Sequence, residues 1–333
     1  MSSSATDRGF DFGPFPSGWV QLAWSKELRR GQVRSVAAFG QRLVLFRGAD
    51  GAARVLDAYC PHLGADLGVG GTVVGNNLRC PFHGWQFDGK GVCTAIPHAR
   101  KIPPKARLGS WPVREAGGII LAWHDADGRD PWFEVPALPG HGLDAAPGAT
   151  TVAYTIRTRW RELAENGVDR AHFHVLHGYP EPPNLDAAVD GVHFRMRSNV
   201  LWRRLGFEAN VSLDIDWCGP LISVARSTGN MPFIVFASTM PIDADTIIHR
   251  MTFMVPRSVP APLRGVIRGI AAIAARREFE RDIPIWESKI CQPRPVLCDA
   301  DGPIARFRSW SRQFLGEGET TPSAGGRRLP VIA

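Results

Sequence analysis

The sequence predicts an α+β protein with two domains. An all-β domain is expected at 18–130, because short strand-like runs bounded by turn residues fill this part of the chain. A Pro- and Gly-rich stretch from Pro131 to Pro147 predicts a domain boundary. The second domain, at 131–315, combines long β-type runs with helical segments. We therefore expect a helix-grip-like arrangement, in which helices cover one antiparallel sheet.

Short runs of β-branched and aromatic residues define the first domain. They lie at 33–38, 42–47, 53–57, 73–74 and 113–123, with turns at Ala49-Asp50-Gly51 and Gly117-Gly118. The ends of the chain differ from this pattern. Residues 1–17 are rich in Ser, Gly, Pro and Asp, and residues 316–333 are rich in Gly, Thr and Arg. They are predicted to form a flexible leader and a flexible tail.

Alternating runs predict the antiparallel sheet of the second domain, at 192–204, 207–216, 220–227, 233–239 and 245–255. A strand is expected before them at 151–158, and a helix at 160–176 that ends before the Pro-rich segment 179–183. Further helices are expected at 263–279 and 305–314. The first of these admits two interpretations: a helix packed against the sheet, or an amphipathic surface that docks on lipid.

Composition and charge narrow the class of protein. The 333 residues are 44% hydrophobic and 21% charged, which is typical of a globular protein. The net charge is +7, but no run of five Lys or Arg occurs, so nucleic acid is not an expected partner. Neither a signal peptide nor a run of eighteen apolar residues is present. We expect a cytoplasmic protein with no transmembrane segment.

Two short loops of the same build contain the first candidate site. Cys60-Pro-His62 is followed after seventeen residues by Cys80-Pro-Phe-His83, so each loop offers one thiolate and one imidazole. A Rieske [2Fe–2S] cluster needs this set, with two Cys on one iron and two His on the other. Structural zinc also uses two Cys and two His, but zinc fingers separate the Cys pair from the His pair. The mixed loops, flanked by Gly64, Gly84 and Trp85, favour the cluster.

The predicted helix after residue 160 contains a second group of metal-binding side chains. His172, His174 and His177 follow shortly after Asp169. Iron(II) oxygenases bind their metal through two His and one carboxylate. Asp169 lies three residues before His172, on the same helix face, where it suits a hydrogen bond to the ring of a ligand. His177 joins His172 only if the helix ends or bends between them, which Gly178 makes plausible, whereas His174 is expected to be packed or exposed.

Both groups together resemble the Rieske non-haem iron oxygenases. The resemblance rests on the two loops and on Asn166-x-x-Asp169-x-x-His172-x-x-x-x-His177. It implies a Rieske [2Fe–2S] cluster held by Cys60, His62, Cys80 and His83. It also implies a mononuclear Fe(II) bound by His172, His177 and a later carboxylate. Asp169 would couple the cluster of one subunit to the iron of its neighbour, in a homotrimer. Respiratory Rieske proteins carry an additional Cys in each loop, where this sequence has Ala65 and Phe82.

The third iron ligand must come from later in the chain. The candidates are Glu278, Glu280, Asp282 and Glu287. Asp282 stands in the sequence Asp-Ile-Pro-Ile-Trp, which resembles the steroid and sterol branch of the family, whose ligand is the Asp of this motif. We therefore favour Asp282 over Glu287, and the other acids are expected on a solvated helix face.

Several stretches resemble the cholesterol 7-desaturases of the Neverland type most closely. They are Asp57 to Gly71, Cys80 to Phe87, Glu165-Asn166-Gly167 and Asp301 to Phe314. The 3-ketosteroid 9α-hydroxylases share the Asp-Ile-Pro-Ile-Trp motif, but their cluster loops resemble this sequence less. Animal 7-desaturases carry an N-terminal membrane segment, and this sequence shows no such run.

The resemblance implies oxidation of an unactivated C–H bond of a sterol or steroid by O₂. Desaturation at the 7,8 position and hydroxylation are the two expected outcomes. The chain has no Gly-rich dinucleotide fingerprint. Electrons are therefore expected from a ferredoxin and an NAD(P)H-dependent ferredoxin reductase, and the basic surface suits an acidic ferredoxin. The alternatives are a Rieske electron-transfer protein, which holds two irons instead of about three, and a steroid-binding protein that retains the cluster.

Overall fold

The computed structural model describes residues 15–136, 149–204, 207–229 and 231–316. Most of the predicted leader, part of the predicted domain boundary and nearly all of the predicted tail lie outside these residues. Within the described part of the chain, an N-terminal all-β region is followed by a large antiparallel sheet with helices. The α+β prediction is confirmed. Residues 15–17, which fall in the predicted leader, are packed: Ser17 is buried and its N–H donates to the carbonyl of Phe314.

Eleven strands form the N-terminal region among the described residues. Strands β1–β11 are Gly18–Trp24, Val33–Ala38, Gln41–Arg47, Ala53–Asp57, Thr72–Val74, Asn77–Arg79, Gln86–Phe87, Cys93–Ala95, Ser110–Trp111, Val113–Ala116 and Ile119–His124. They make three antiparallel sheets, in the orders β1-β11-β10, β2-β3-β4-β9 and β5-β6-β7-β8. The predicted strands at 33–38, 42–47 and 53–57 are β2, β3 and β4. Residues 43–47 of β3 are all buried, because its two faces enter different cores. Leu43 and Leu45 belong to one core, and Val44 and Phe46 belong to the other.

Seven strands form the C-terminal sheet. Strands β12–β18 are Thr150–Ile156, Asn184–Asp190, His193–Arg204, Phe207–Cys218, Ile222–Gly229, Ile234–Pro241 and Ile247–Met254. All neighbours are antiparallel, in the order β12-β18-β17-β16-β15-β14-β13. The five predicted runs correspond to β14–β18. Strand β13 was not predicted, and it forms the edge of the sheet by pairing with β14.

Four α-helices complete the described fold. Helices α1–α4 are Trp160–Asn166, Ala171–Val175, Ala261–Ser288 and Ile304–Ser311. The prediction of one helix over 160–176 was wrong, because the chain turns between α1 and α2. Gly167 lies against the ring of Trp217, where a Cβ would come within 2.8 Å of the indole. The carboxylate of Asp169 then accepts the N–H of Ala171, the first residue of α2.

The two faces of the large sheet have different neighbours. Met251 and Phe253 of β18 pack against Ala271 and Ala272 of α3. On the opposite face, the indole N–H of Trp24 in β1 donates to Thr252. Because successive residues of a strand point to opposite faces, the sheet has a helix-covered face and a face that joins the N-terminal region.

The inner face of helix α3 packs against the sheet, which agrees with the first of the two interpretations of its sequence. Its outer face remains apolar, with Leu263, Val266, Ile270 and Ile273 exposed. No helix in the described ranges combines the length and the apolar character that crossing a bilayer requires.

Candidate metal centres and active site

The two cluster loops have the same backbone structure. In the first loop, the N–H of Gly64 donates to the carbonyl of Cys60 at 2.9 Å, and the N–H of Cys60 donates to Ala65 at 2.9 Å. In the second loop, the N–H of Gly84 donates to the carbonyl of Cys80 at 3.2 Å. Both glycines have a positive φ, of 77° and 72°, which disfavours side chains larger than Gly. These turns point one Cys and one His of each loop toward the same end of the domain.

The four cluster side chains combine buried sulfur with exposed nitrogen. Cys60 and Cys80 are buried and form no disulfide. Burial, with Cys80 nearby, raises the pKa of the Cys60 thiol to about 11. His62 and His83 are exposed, with ring centroids 4.6 Å apart. Two buried sulfur atoms, with two imidazoles at the exposed edge, fit the donor set of a Rieske cluster.

His172, His177 and Asp282 are brought together from three places in the fold. His172 lies on α2, His177 follows the end of α2, and Asp282 lies in the C-terminal half of α3. Their donor atoms lie within 4.8 Å of one another. Nε2 of His177 is 3.2 Å from Oδ1 of Asp282. Helix α2 ends at Val175, so the chain turns before His177, as the sequence required.

Two more carboxylates lie on the far side of the imidazoles. Oε2 of Glu278 is 2.6 Å from Nδ1 of His177. Burial lowers the pKa of His177, but Asp282 and Glu278 outweigh this effect and raise the pKa to about 9. Oδ2 of Asp169 is 3.6 Å from Nδ1 of His172, which is too long for a direct hydrogen bond. The cluster therefore has an excess of negative charge.

Asn166, at the end of α1, contacts the same cluster. Its Nδ2 is 3.2 Å from Nε2 of His172 and 3.4 Å from Oδ2 of Asp282. The sequence pattern alone predicts no role for Asn166, although this residue belongs to the motif. The contact of Glu278 was also missed. It had a signal, because Glu278 and Asp282 are four residues apart and share one face of α3.

The remaining acidic candidates and the third histidine lie elsewhere. Oε1 of Glu287 accepts the backbone N–H of Arg157. Glu280 contacts Tyr154. His174 is exposed, and its Nδ1 is 2.6 Å from the carbonyl oxygen of Tyr179. These positions separate them from the His172, His177 and Asp282 cluster.

The three clustered residues fit a mononuclear iron. Their donor atoms lie close together, and Oδ1 of Asp282 is buried with no hydrogen-bond partner among the described residues, although Nε2 of His177 lies 3.2 Å from it. Buried polar atoms in this state are costly. A divalent cation offsets that cost, and two imidazoles with one carboxylate are the facial donor set of non-haem Fe(II).

A cavity of about 210 Å³ lies between the sheet and the helices, and it reaches Asn166, the residue that contacts His172 and Asp282. Asn166 and Phe279 belong to its wall on the helix side, and the sheet contributes the face that α3 covers. The wall is mostly apolar, with large side chains from Leu163, Ile215, Trp217, Leu221 and Trp286. Polar side chains interrupt it at Ser223, Thr239 and His249. The cavity suits a hydrophobic molecule with few polar groups.

Comparison with known families matches both parts of the fold. The profile of the Rieske [2Fe-2S] domain matches residues 18–112. The profile described as the 3-ketosteroid 9alpha-hydroxylase C-terminal domain matches residues 122–315, more than half of the chain.

Curated relatives match over nearly the whole chain. Cholesterol 7-desaturase nvd 1 of Ciona intestinalis is 32% identical over 93% of this chain and 71% of its own length. The cholesterol 7-desaturase nvd of Hemicentrotus pulcherrimus is 34% identical over 91% of this chain and 70% of its own. A 3-ketosteroid-9-alpha-monooxygenase oxygenase component of Rhodococcus rhodochrous is 31% identical over 90% of this chain and 81% of its own.

Solved structures share the fold at lower sequence identity. NdmA of Pseudomonas putida CBB5 with caffeine aligns with a TM-score of 0.72, at 22% identity, over 88% of this chain and 89% of that chain. Dicamba monooxygenase bound to dicamba aligns with a TM-score of 0.71, at 19% identity, over 89% of this chain and 96% of that chain. With the two family matches and the curated relatives, these findings establish that the chain belongs to the Rieske non-haem iron oxygenases, enzymes with a [2Fe–2S] Rieske cluster and a mononuclear iron, in the branch that has the 3-ketosteroid 9α-hydroxylase C-terminal domain.

Proposed function

We propose that this chain is the oxygenase component that uses O₂ to oxidise an unactivated C–H bond of a sterol or steroid. The proposal is supported by the largely apolar cavity that reaches Asn166, a residue in contact with His172 and Asp282 of the second site. The proposed reaction is 7,8-desaturation of cholesterol or a related sterol, because cholesterol 7-desaturases are similar to this chain over more than nine-tenths of its length.

Hydroxylation of a 3-ketosteroid is the second candidate. It is favoured by the family match of residues 122–315, whose profile describes 3-ketosteroid 9α-hydroxylases. Both reactions begin at an unactivated C–H bond. They differ in whether the substrate gains oxygen or loses a second hydrogen, and the position of the substrate in the cavity decides which C–H bond is attacked.

We assign one set of side chains to the cluster and a second set to the mononuclear iron. The cluster would be held by Cys60, His62, Cys80 and His83, and the mononuclear iron by His172, His177 and Asp282. When bound, the cluster supplies single electrons and the iron supplies the reaction of O₂ with the C–H bond. The donor sets and the closeness of the donor atoms at the second site support this assignment.

Other residues of the chain position the ligands and exclude water. Glu278 holds Nδ1 of His177 and thereby directs Nε2 of that ring toward Asp282. Leu163, Trp217 and Phe279 exclude water from the cavity, so that only the substrate lies beside the site.

We further propose that the chain works as a homotrimer in which Asp169 connects the cluster of one subunit with the iron site of the next. Asp169 lies beside His172, at 3.6 Å. The exposed rings of His62 and His83 are flanked by Leu63 and Phe82, which are 65% and 63% exposed. An exposed apolar patch at the point of electron exit suits a protein interface. Electrons would come from a ferredoxin and its NAD(P)H-dependent reductase.

The mass of the product tests the proposed reaction. The purified protein is supplied with a surrogate ferredoxin, its reductase, NADH and O₂, and is given cholesterol and a 3-ketosteroid in parallel. We expect cholesterol to lose two hydrogens. The gain of one oxygen on either substrate would replace desaturation by hydroxylation. If neither substrate changes while the protein holds about three irons per chain, the sterol and steroid proposal is wrong and the family assignment remains.

A further inference from the structure

The polar part of the cavity wall is built from two neighbouring strands. Thr239 of β17 and His249 of β18 are paired in the sheet register, and both side chains line the cavity. Oγ1 of Thr239 is 2.9 Å from Nδ1 of His249. The imidazole also stacks on the ring of Phe279, with centroids 4.9 Å apart. Thus a hydrogen bond and a ring contact fix the orientation of His249.

His249 is a neutral imidazole. Burial lowers its pKa to about 3, and the charge of Arg250 acts in the same direction. A neutral imidazole has one nitrogen that donates and one that accepts. The position of the ring proton therefore decides which nitrogen of His249 donates.

The hydroxyl of Thr239 determines which nitrogen of His249 carries the proton. In the part of the chain that the structure describes, this hydroxyl has one hydrogen-bond partner, Nδ1 of His249. If Nδ1 carried the proton, the hydroxyl proton of Thr239 would be buried without an acceptor, which is costly. The hydroxyl therefore donates to Nδ1, and the proton of the ring is on Nε2. Nε2 has no partner among the described residues, and it is not among their buried unpartnered atoms. It is therefore a donor open to the cavity.

We propose that His249, oriented by Thr239, is the subsite that binds a ketone oxygen of the otherwise apolar substrate. A ketone oxygen only accepts hydrogen bonds, so the Nε2–H of His249 satisfies it. An alcohol at the same place must also find an acceptor for its own proton. An apolar ligand leaves the Nε2–H of His249 without an acceptor. Such a ligand therefore binds more weakly than one that accepts this hydrogen bond. This inference rests on the proposed sterol or steroid substrate, and within that proposal it favours the second candidate, a ketosteroid, over cholesterol.

Three ligands that differ at one carbon test the subsite. They are 5α-cholestan-3-one, 5α-cholestan-3β-ol and 5α-cholestane, delivered on cyclodextrin to the protein with its cluster and iron loaded. Trp217 and Trp286 line the cavity, so quenching of tryptophan fluorescence reports binding. We expect the ketone to bind more tightly than the alcohol, and at least about tenfold more tightly than the hydrocarbon.

The His249→Phe variant keeps an aromatic ring for the contact with Phe279 and removes the N–H donor. We expect its affinity for the ketone to fall about tenfold, to that of the hydrocarbon, while its affinity for the hydrocarbon stays unchanged. The hydrocarbon is the internal control, because a general distortion of the cavity would weaken all three ligands. Thr239→Val is the second variant. It frees Nδ1 to carry the proton, and we expect it to reduce the preference for the ketone over the alcohol.

Two outcomes separate this inference from the proposed function. If the wild-type protein binds the ketone and both variants keep its affinity and its preference over the alcohol, the subsite is wrong and the proposed function stands. If the wild-type protein binds none of the three ligands, the proposed substrate class is wrong, and the subsite with it. Loss of ketone affinity in His249→Phe without loss of hydrocarbon affinity would support both.

Discussion

Asp282 is the acidic residue whose carboxylate lies next to both imidazoles of the second site. It is buried in α3, with Oδ1 at 3.2 Å from His177 and Oδ2 at 3.4 Å from the amide nitrogen of Asn166. Glu287 lies five residues further along and contacts the backbone of Arg157 instead. Asp282 and Glu287, the two alternatives for the third ligand, thus have different surroundings. We therefore expect their substitution to have different effects.

Replacement of Asp282 by Ala is expected to remove the mononuclear iron and to leave the cluster in place. The iron content should fall from about three to about two per chain, because two imidazoles alone bind Fe(II) weakly. Iron analysis measures the change, and the visible absorption of the cluster shows that the N-terminal domain is intact. Glu287→Ala is the matched control and should keep about three irons. A third iron retained in Asp282→Ala, or lost in Glu287→Ala, would refute the assignment of the ligand.

The sequence yields candidate residues for the two metal sites because most of them lie in short local patterns. His172 and His177 lie five positions apart, and each cluster loop places a Cys and a His within four residues. The contacts that orient them depend on distant segments. Glu278 reaches His177 across about a hundred residues, and the pair of Thr239 with His249 depends on the register of two strands. No local pattern specifies either contact.

At the scale of elements, predictions failed where tertiary contacts override local preference. Strand β13 contains Asp186, Ala187, Ala188 and Asp190, which are poor strand formers, yet it pairs with β14 along its whole length. The helix predicted to end near residue 279 continues through Pro284 to Ser288. Pro284 has no backbone N–H to donate within the helix, which argues for a helix boundary at this residue. Packing of Asp282 and Trp286 against the rest of the domain nevertheless keeps the segment helical.

The sheets of the N-terminal domain are joined by an ion pair between elements. Arg47 at the end of β3 binds Glu115 of β10 through two parallel hydrogen bonds of 2.7 and 2.8 Å. It also donates to the carbonyls of Leu28 and Gly51. The Arg47 side chain is only 10% exposed. Loss of its carboxylate partner would therefore leave a buried positive charge without full compensation.

Glu115→Gln is expected to lower the free energy of unfolding by about 1–3 kcal/mol at pH 7. The advantage of the wild type depends on pH. Burial raises the pKa of Glu115, but Arg47 outweighs it, and the pKa in the folded protein lies below the ordinary 4.5. The ion pair thus contributes fully above pH 4.5, and its contribution is lost as the pH falls through the lowered pKa. Urea unfolding of both proteins at pH 7 and in the acid range measures the difference.

Glu134→Gln is the matched control for this measurement. Glu134 pairs with Arg114 at 3.5 Å, and both side chains are more than half exposed. Exposed pairs contribute about 0–1 kcal/mol, so the control should unfold almost like the wild type. An equal effect of the two substitutions, or a Glu115→Gln difference that grows toward acid pH, would contradict the role given to Arg47.

At the scale of the whole molecule, the two domains share one packed core. Trp19 and Trp123 of the first domain belong to the same buried cluster as Phe194 and Phe307 of the second. The backbone N–H of Gln21 donates to Ser238 across the boundary. This packing gives the exposed cluster edge and the cavity fixed positions within one subunit. Transfer of electrons between the two sites then has to use either a path inside the subunit or contact with a neighbour.

Hybrid oligomers decide between these two paths. His83→Ala removes a proposed cluster ligand and Asp282→Ala removes a proposed iron ligand, so we expect each variant alone to be inactive. If electrons pass to the neighbouring subunit of a cyclic trimer, co-expression in equal amounts should restore about a quarter of the wild-type activity, because one interface in four then joins an intact cluster to an intact iron site. Oxygen consumption with substrate and reduced ferredoxin measures the recovery.

The same experiment tests Asp169 as the connecting residue. Addition of Asp169→Asn to the His83→Ala subunit, which contributes the intact iron site, should abolish the recovery while its iron content stays unchanged. Asp169→Asn in the Asp282→Ala subunit is the control and should leave the recovery intact, because that subunit contributes only its cluster. Stable hybrid trimers without activity would require a path within one subunit. Recovery in both arrangements would keep the transfer between subunits and remove Asp169 from it.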